Sequence, residues 1–168
     1  MTPADERLSL TARIVMRISL SANERGIYLG RRATRIHVVL YRLTGGRLGG
    51  HHPGLPEARI ALVDHVGAKS GRARTSPVMF HEEGGVEAVA ASKAGEPSNP
   101  AWFYNLRAHP ETTIQIGSEV RKVQARVATD EERELLWPRF LDFYPGYDFL
   151  QRRAEARRIP IVILEPRD

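Results

Sequence analysis

The feature that most constrains this chain is a series of short apolar runs, separated by turns, in its C-terminal two-thirds. Six such runs occupy residues 60–66, 75–80, 86–91, 112–116, 120–127 and 161–164. Runs of about four to eight residues between Gly, Pro and polar residues are typical of strands. Glu82–Gly85 and Gly117-Ser118 are short enough to close hairpins, so neighbouring runs pair antiparallel. Because helices are inserted only singly, the pattern predicts an α+β chain built on a small antiparallel barrel rather than a parallel sheet.

Two helices are predicted between the strands. One runs from about Pro100 to Ala108, with Asn99 as its N-cap and a proline at its first position. The other begins at Thr129, where Thr129 and Glu132 have the spacing of a capping box. Pro138 lies about two turns into this helix and predicts a kink or an early end.

The N-terminal part of the chain is helical and basic. Apolar residues recur every three or four positions across residues 7–43, and Gly45-Gly46 ends the second helical segment. A loop rich in glycine and proline follows at residues 45–56. Residues 1–50 carry nine arginines, no lysine and three acidic residues, a net charge of +6, whereas the whole chain has +5. We therefore divide the chain into a basic N-terminal segment, residues 1–35, and a barrel domain, residues 36–168.

The composition narrows the class of protein. The 168 residues include no cysteine, so disulfide scaffolds, thiolate metal sites and cysteine nucleophiles are excluded. No apolar run approaches the roughly 20 residues of a membrane-spanning helix. Asp5 and Glu6 stand where a secretory signal would be positively charged, so we expect a cytoplasmic protein. The six histidines lack zinc-binding spacing, and no metal is predicted.

The densest polar cluster, Gly67–Pro77, lies between two predicted strands. Its glycine-bounded turn exposes backbone N–H groups, and Lys69, Arg72 and Arg74 add three cations. Such a set suits a phosphate or a carboxylate. A solvated hairpin turn explains the same composition equally well.

Two further clusters carry weaker signals. Ser92–Trp102 is a polar loop that leads into a helix N-terminus, whose free N–H groups suit an anion or a polar ring edge. The simpler interpretation of this loop is that Asn99 caps the helix and Trp102 belongs to the core. Tyr144-Pro145-Gly146-Tyr147 places two tyrosines beside a turn, where they can line a pocket.

Taken in order, these stretches resemble the deazaflavin-dependent nitroreductase family and its F420H2-dependent quinone reductases. The matching motifs are Leu40–Gly50, Gly67–Pro77, Ala91–Gly95 with Pro100–Leu106, Tyr144–Tyr147, and Ile159-Pro160 with Leu164–Pro166. The resemblance covers residues 37–168. It implies a split β-barrel that binds coenzyme F420, a deazaflavin that carries a phosphodiester and an oligoglutamate tail. It also implies hydride transfer from the reduced coenzyme to a quinone, with nitroaromatic compounds as adventitious acceptors.

The same resemblance implies roles for individual residues. The anionic groups of the cofactor would meet a cradle formed by Lys69, Ser70, Gly71, Arg72, Arg74, Thr75, Ser76 and Pro77. The deazaflavin ring would be held by Ser92, Lys93, Gly95, Pro100, Ala101 and Trp102. The catalytic residues would be Ser92, Tyr144 and Tyr147. The tyrosines line the acceptor side in this interpretation, and a Ser92 or tyrosine hydroxyl binds the oxygen on which negative charge develops.

The chain departs from the family pattern at four places. Ala68 stands where the family often has arginine, and Ala94 replaces a common glycine. Asp64-His65-Val66 stands where small threonines are usual. Leu150 replaces a third tyrosine, which makes the acceptor pocket more apolar. Acceptor preference is therefore the least transferable property.

Two alternatives remain open at this point. One is a barrel of similar shape that binds FMN, although a single phosphate needs fewer cations than the two clusters offer. The other is a non-catalytic membrane-surface module, because the N-terminal arginines lie among aliphatic residues. Nucleic-acid binding is not predicted, because Tyr28 and Tyr41 are the only aromatic residues among those arginines. We expect a monomer or a weak homodimer. For the helical segment at residues 1–35, peripheral contact with an anionic membrane surface and ordinary helix packing are both open.

Overall fold

The computed structural model describes residues 31–53, 55–155 and 157–168. In chain order its elements are α1 (Arg31–Thr44), β1 (His51–His52), β2 (Leu55–Val66), β3 (Ala73–Glu83), β4 (Val86–Ala90), a 3-10 turn (Lys93–Gly95), α2 (Ala101–Ala108), β5 (Glu111–Ile116), β6 (Glu119–Val127), α3 (Asp130–Phe143), α4 (Gly146–Arg153) and β7 (Ile161–Pro166).

Six of the strands form a closed antiparallel barrel. The order around the barrel is β2, β3, β4, β7, β6, β5, and β5 pairs back onto β2 through Leu62–Gln115 and Val63–Ile114. The short strand β1 pairs only with β2 at the margin of the barrel. The predicted split β-barrel with flanking helices is confirmed.

The strands bury two separate apolar cores, one on each face. The barrel interior is filled by alternate residues of all six strands and is closed at one end by Trp102, Phe103 and Leu106 of α2. The outer core packs α3 and α4 against β4, with Phe140 and Tyr147 among its largest side chains. Side chains of a strand alternate between faces, so β4 gives Val89 to the interior and Ala88 to the outer core.

Local turn chemistry explains where several elements end. The N–H of Glu132 and the side chain of Thr129 form the predicted capping box, so α3 begins at Asp130 as expected. The β3–β4 hairpin turns at Gly84 and Gly85, whose φ angles of 62° and 79° are the left-handed values that a two-residue hairpin requires. Gly45, with φ 58°, follows the last residue of α1.

The predicted N-cap of α2 is wrong, and of the two outcomes predicted at Pro138, a kink or an early end, the early end is excluded. Asn99 does not cap α2, because Pro100 occupies that position with no side-chain bond, and Asn99 Oδ1 instead accepts a hydrogen bond from Arg157. The helix accordingly begins at Ala101. The predicted early end at Pro138 does not occur, since α3 continues to Phe143. Glu134 and Pro138 both lie on the exposed face, where solvent can satisfy the carbonyl that loses its helical donor.

The loop predicted at residues 45–56 is shorter than expected. Strand β1 lies within it, and β2 begins at Leu55, before the predicted residue 60. Because Leu55 and Ala58 are buried in the outer core, this part of the chain has an extended conformation.

Helix α1 continues through residues 35 and 36, the predicted boundary of the barrel domain. Residues 1–30, with the first predicted helical segment, lie outside the described part of the chain, so the N-terminal segment remains a prediction. Among the described helices, none combines the length and the apolar character needed to cross a membrane.

Candidate functional site

The turn between β2 and β3, which we call the anion turn (residues 67–72), is fixed by its own backbone. The N–H of Gly67 donates to the carbonyl of Arg72 at 2.9 Å, and the N–H of Gly71 donates to the carbonyl of Gly67 at 2.8 Å. Lys69 and Arg72 are exposed here, and Arg74 is exposed at the start of β3. Within the described residues none of these three cations forms an ion pair. They are therefore available to an anionic ligand.

A buried polar chain anchors the anion turn to α2. The backbone N–H of Ala68 donates to Asn105 Oδ1 at 2.9 Å, and Asn105 Nδ2 donates to His65 Nδ1 at 2.9 Å. Because His65 Nδ1 accepts, the proton lies on His65 Nε2, which is 3.0 Å from Ser76 Oγ. Burial, with a smaller effect from Arg74, lowers the pKa of His65. The buried ring of His65 is therefore neutral near neutral pH.

Thr75 and Pro77, also predicted in the cradle, lie within β3. Asp64 Oδ1 accepts from Thr75 Oγ1 at 2.6 Å and from Arg42 at 2.8 Å, while Asp64 Oδ2 accepts from Thr113 at 3.0 Å. The Thr75 hydroxyl is therefore committed to a protein carboxylate. Pro77 is half-buried and faces Leu62 across the sheet. Ser70 is exposed within the anion turn.

The second predicted cluster forms a loop at residues 91–99, which we call the left-handed loop. Lys93, Ala94 and Gly95 have φ angles of 45°, 52° and 75° in succession. A Cβ on Gly95 would lie 2.7 Å from the carbonyl oxygen of Leu150, so the loop packs tightly on α4 and needs glycine there. Lys93 Nζ contacts Glu96 Oε2 and Ser98 Oγ, both at 2.8 Å, and so is not a free cation. Ser92 is half-buried, and its side chain caps nothing.

The left-handed conformation of Ala94 gives a testable expectation. An alanine in this region costs about 1–2 kcal/mol, whereas glycine adds about 0.4–1 kcal/mol of entropy to the unfolded chain. We expect Ala94→Gly to raise the free energy of unfolding by about 0.5–1 kcal/mol and the Tm by about 1–4 °C. Thermal denaturation measures this, with Ala108→Gly at the exposed end of α2 as the control. A lower Tm for Ala94→Gly would contradict the expectation.

An arginine that no sequence motif assigns to the site forms several hydrogen bonds to the left-handed loop. Arg157, between α4 and β7, donates to the carbonyls of Glu96 and Ser92, both at 2.7 Å, and of Ala91 at 3.2 Å. It also donates to Asn99 Oδ1 at 2.6 Å. Burial lowers the pKa of Arg157. No motif in the sequence pointed to it, since three of its four acceptors are main-chain carbonyls and all four lie about 60 residues away.

Helix α2 brings the two clusters together. Its first turn, with Pro100 and Ala101, continues from the left-handed loop, and Asn105 one turn later holds the anion turn. Ala101 is exposed, whereas the Trp102 ring is buried in the barrel interior. The predicted anion-binding and ring-binding clusters therefore lie at one end of the barrel.

The two predicted tyrosines are in a different environment. Tyr144 and Tyr147 are each 2% exposed and lie in the outer core, with ring centroids 5.3 Å apart in an edge-on contact. Burial raises the pKa of Tyr147. Tyr147 lies on α4, the helix that contacts Gly95, but the structure does not bring its ring to the anion turn. Leu150, on the same helix, is buried as well.

A cleft of about 1000 Å³ opens beside the anion turn, between α1 and the barrel. Its wall includes Arg35, Arg74 and Lys122, which have no acidic partner within the described residues. The two acidic residues of the wall, Asp64 and Glu111, are paired with Arg42 and Arg167. The cleft therefore extends the positive potential of the anion turn and suits a polyanionic chain. In the described part of the molecule no group of three His, Cys, Asp or Glu residues could hold a metal ion.

Comparison with known proteins yields one family. The model of the F420H(2)-dependent quinone reductase family matches residues 33–166. An F420H(2)-dependent quinone reductase of Mycobacterium tuberculosis is 32% identical over 143 residues, which cover 83% of this chain and 94% of that protein. A solved F420-H2 dependent reductase (FDR-A) is 40% identical, with a TM-score of 0.59 over 63% of this chain and 93% of its own.

A second solved structure, described as a domain-swapped dimer, is 35% identical, with a TM-score of 0.62, and covers 80% of this chain and 96% of its own. The residues that match the family model, 33–166, include the anion turn, the left-handed loop and α4. The chain therefore belongs to the F420H(2)-dependent quinone reductase family, which confirms the predicted family, the F420H2-dependent reductase class and reduced coenzyme F420 as its cofactor.

Proposed function

We propose that this chain binds reduced coenzyme F420 across the anion turn and the left-handed loop, and that it reduces a quinone with it. The observation that carries the proposal is the set of three cations without an ion pair among the described residues, Lys69, Arg72 and Arg74, on or next to a turn that Asn105 of α2 anchors. A deazaflavin with a phosphodiester and an oligoglutamate tail needs both parts at once. FMN carries one phosphate and would leave most of these charges unused.

The residues of the chain contribute binding and positioning. Lys69, Arg72 and Arg74 donate charge-assisted hydrogen bonds to the phosphodiester and the carboxylates. Ser92 lies at the start of the left-handed loop, where its hydroxyl can donate to a ring oxygen that gains negative charge. The bound coenzyme supplies the hydride. The protein holds ring and acceptor in contact and excludes water from between them.

The residues on the acceptor side are assigned from the family resemblance. In this assignment Tyr144 and Tyr147 line the acceptor side of the site, although both rings lie in the outer core. We expect Tyr147→Phe to slow turnover about tenfold while F420 binding is unchanged, because the lost hydroxyl stabilises charge that develops in the reaction. Steady-state rates and F420 titrations separate the two effects. Unchanged turnover would remove Tyr147 from the site.

Binding of cofactor tests the core of the proposal. Fluorescence polarisation of F420 and of FMN, each titrated with purified protein, should show tight binding of F420 and weak binding of FMN. Oxidation of F420H2 should then depend on a water-soluble quinone such as menadione, with a nitroaromatic compound as the second acceptor. Binding of FMN alone, or of neither ligand, would overturn the proposal.

A peripheral membrane contact also belongs to this proposal. It rests on the net charge of +6 in residues 1–50, which favours an anionic surface. We expect the full chain to pellet with vesicles that contain anionic lipid and to stay in solution with neutral vesicles. Equal soluble fractions in the two experiments would contradict the contact.

A further inference from the structure

Arg157 forms hydrogen bonds to both ends of the left-handed loop. Its guanidinium reaches three main-chain carbonyls, of Ala91, Ser92 and Glu96, and the side chain of Asn99. Four hydrogen bonds of 2.6 to 3.2 Å thus span nine consecutive residues of the loop. All four acceptors are neutral, so these contacts are not ion pairs.

Only an arginine can make this set of contacts. Its guanidinium presents five N–H donors in one rigid plane, which reach acceptors on three sides. A lysine at this position would have one ammonium group, too small to reach the carbonyls of Ser92 and Glu96 and the Asn99 amide together. The guanidinium of Arg157 is partly removed from water, which costs free energy. Its hydrogen bonds to the carbonyls offset that cost.

The loop needs such support because its backbone is strained. Lys93 and Ala94 adopt left-handed φ angles of 45° and 52°, which side-chain-bearing residues rarely adopt. Strained conformations of this kind persist where the surrounding structure fixes them, and they cluster at ligand sites. Arg157 binds the carbonyl of Ser92, the residue before the strained pair, and that of Glu96, two residues after it.

We propose that Arg157 is a positioning residue for the cofactor, and this rests on the proposed function. The guanidinium holds the loop so that the Ser92 hydroxyl and the first turn of α2 present a preformed surface to the deazaflavin ring. Four of its five donors are engaged by the loop, so Arg157 acts through the loop and not on the reacting atoms. Preformed contacts strengthen binding because the ligand does not have to order the loop.

Three variants test the proposal. Arg157→Met removes the donors and keeps much of the stem, and Arg157→Lys keeps the charge. Arg158→Met is the matched control, because the neighbouring arginine is exposed and pairs with Asp130 and Glu134 on α3. Each full-length protein is measured for hydrogen exchange of the amides of residues 92–96 without ligand, for F420 affinity by fluorescence polarisation, and for kcat and KM with menadione.

For Arg157→Met we expect faster exchange of the loop amides, F420 affinity at least about tenfold weaker, and an unchanged KM for menadione. Arg157→Lys should fall between Arg157→Met and the wild type, and should also decide the case if Arg157→Met does not fold. Arg158→Met should match the wild type. Normal F420 affinity in the Arg157 variants, even with faster exchange, would overturn this inference alone. Failure of the wild-type protein to bind F420 would overturn the proposed function as well.

Discussion

Replacing Lys69, Arg72 and Arg74 together by glutamine should weaken F420 binding by about 100-fold at low ionic strength. A hydrogen bond to a charged group contributes about 1.5–3 kcal/mol, and exposure to solvent reduces this to roughly 1 kcal/mol for each cation here. Three such losses amount to about 3 kcal/mol, and each 1.4 kcal/mol corresponds to a factor of about ten. The difference from the wild type should shrink as salt is added, because exposed charges are screened.

A second triple variant separates local contacts from net charge. Arg139, Arg152 and Arg158 are exposed on or beside α3 and α4, away from the anion turn. Their replacement by glutamine removes the same number of positive charges, three, as the first triple variant. We expect this control to bind F420 within about threefold of the wild type, because charges beyond about 10 Å are largely screened at moderate salt. Equal losses in both triple variants would show that the anion turn makes no specific contact.

Arg121→Met should be the most destabilising single substitution proposed for this protein. Glu87 projects from β4 into the barrel with 0% exposure, and one of its oxygens accepts a hydrogen bond from Arg121 of β6. Its other oxygen has no hydrogen-bond partner within the described residues. Loss of the arginine leaves a buried carboxylate alone, which costs about 3–5 kcal/mol. Urea denaturation at neutral pH measures this free energy of unfolding.

The reverse substitution should cost far less. Glu87→Met leaves Arg121 at the surface, where it still pairs with Glu119. We expect a change within about 1 kcal/mol, and the double variant Arg121→Met/Glu87→Met should recover most of the stability lost in Arg121→Met. Equal costs for the two single variants would contradict the buried-charge explanation.

The direction of the Glu87 pKa shift predicts how the destabilisation by Arg121→Met depends on pH. Burial raises the pKa of Glu87, and the nearby Arg121 opposes that rise. A carboxyl whose folded pKa is raised contributes its stability below the unfolded pKa and loses it as pH rises through the folded pKa. Without Arg121 the folded pKa moves further up. The destabilisation by Arg121→Met should therefore be smallest in acid and grow toward neutral pH, and a pH-independent difference would contradict it.

Most of the barrel could be predicted because its signals are local. Hairpin turns such as Gly84-Gly85 and the capping box of Thr129 and Glu132 act within a few residues. The departures have causes that lie far away in sequence. Asn99 failed as a cap because Arg157 takes its side chain, and Leu55 joins a strand because the outer core buries it. Neither partner is visible in a window of neighbouring residues.

In the candidate site too, residues that cluster in sequence could be predicted, whereas contacts between distant elements could not. Lys69, Arg72 and Arg74 were found because they cluster in sequence within Gly67–Pro77. The chain from Ala68 through Asn105 and His65 to Ser76 was not, because its members come from different elements. The motifs could name Tyr144 and Tyr147 but could not show that both rings would pack into the outer core, which depends on how α3 and α4 dock.

The anchoring of the anion turn by Asn105 makes α2 a spacer of fixed length. The rise from Ala101 to Asn105 is about 6 Å, and this helical turn separates the strained loop from the turn that carries the cations. A ligand that contacts only the left-handed loop or only the anion turn gains no binding free energy from the other. A ligand whose planar head and charged tail match this separation binds the second half at a high effective concentration. If the cofactor binds as proposed, we expect the barrel end to select for molecular length as well as for charge, and a tailless deazaflavin to lose more affinity than its missing charges alone account for.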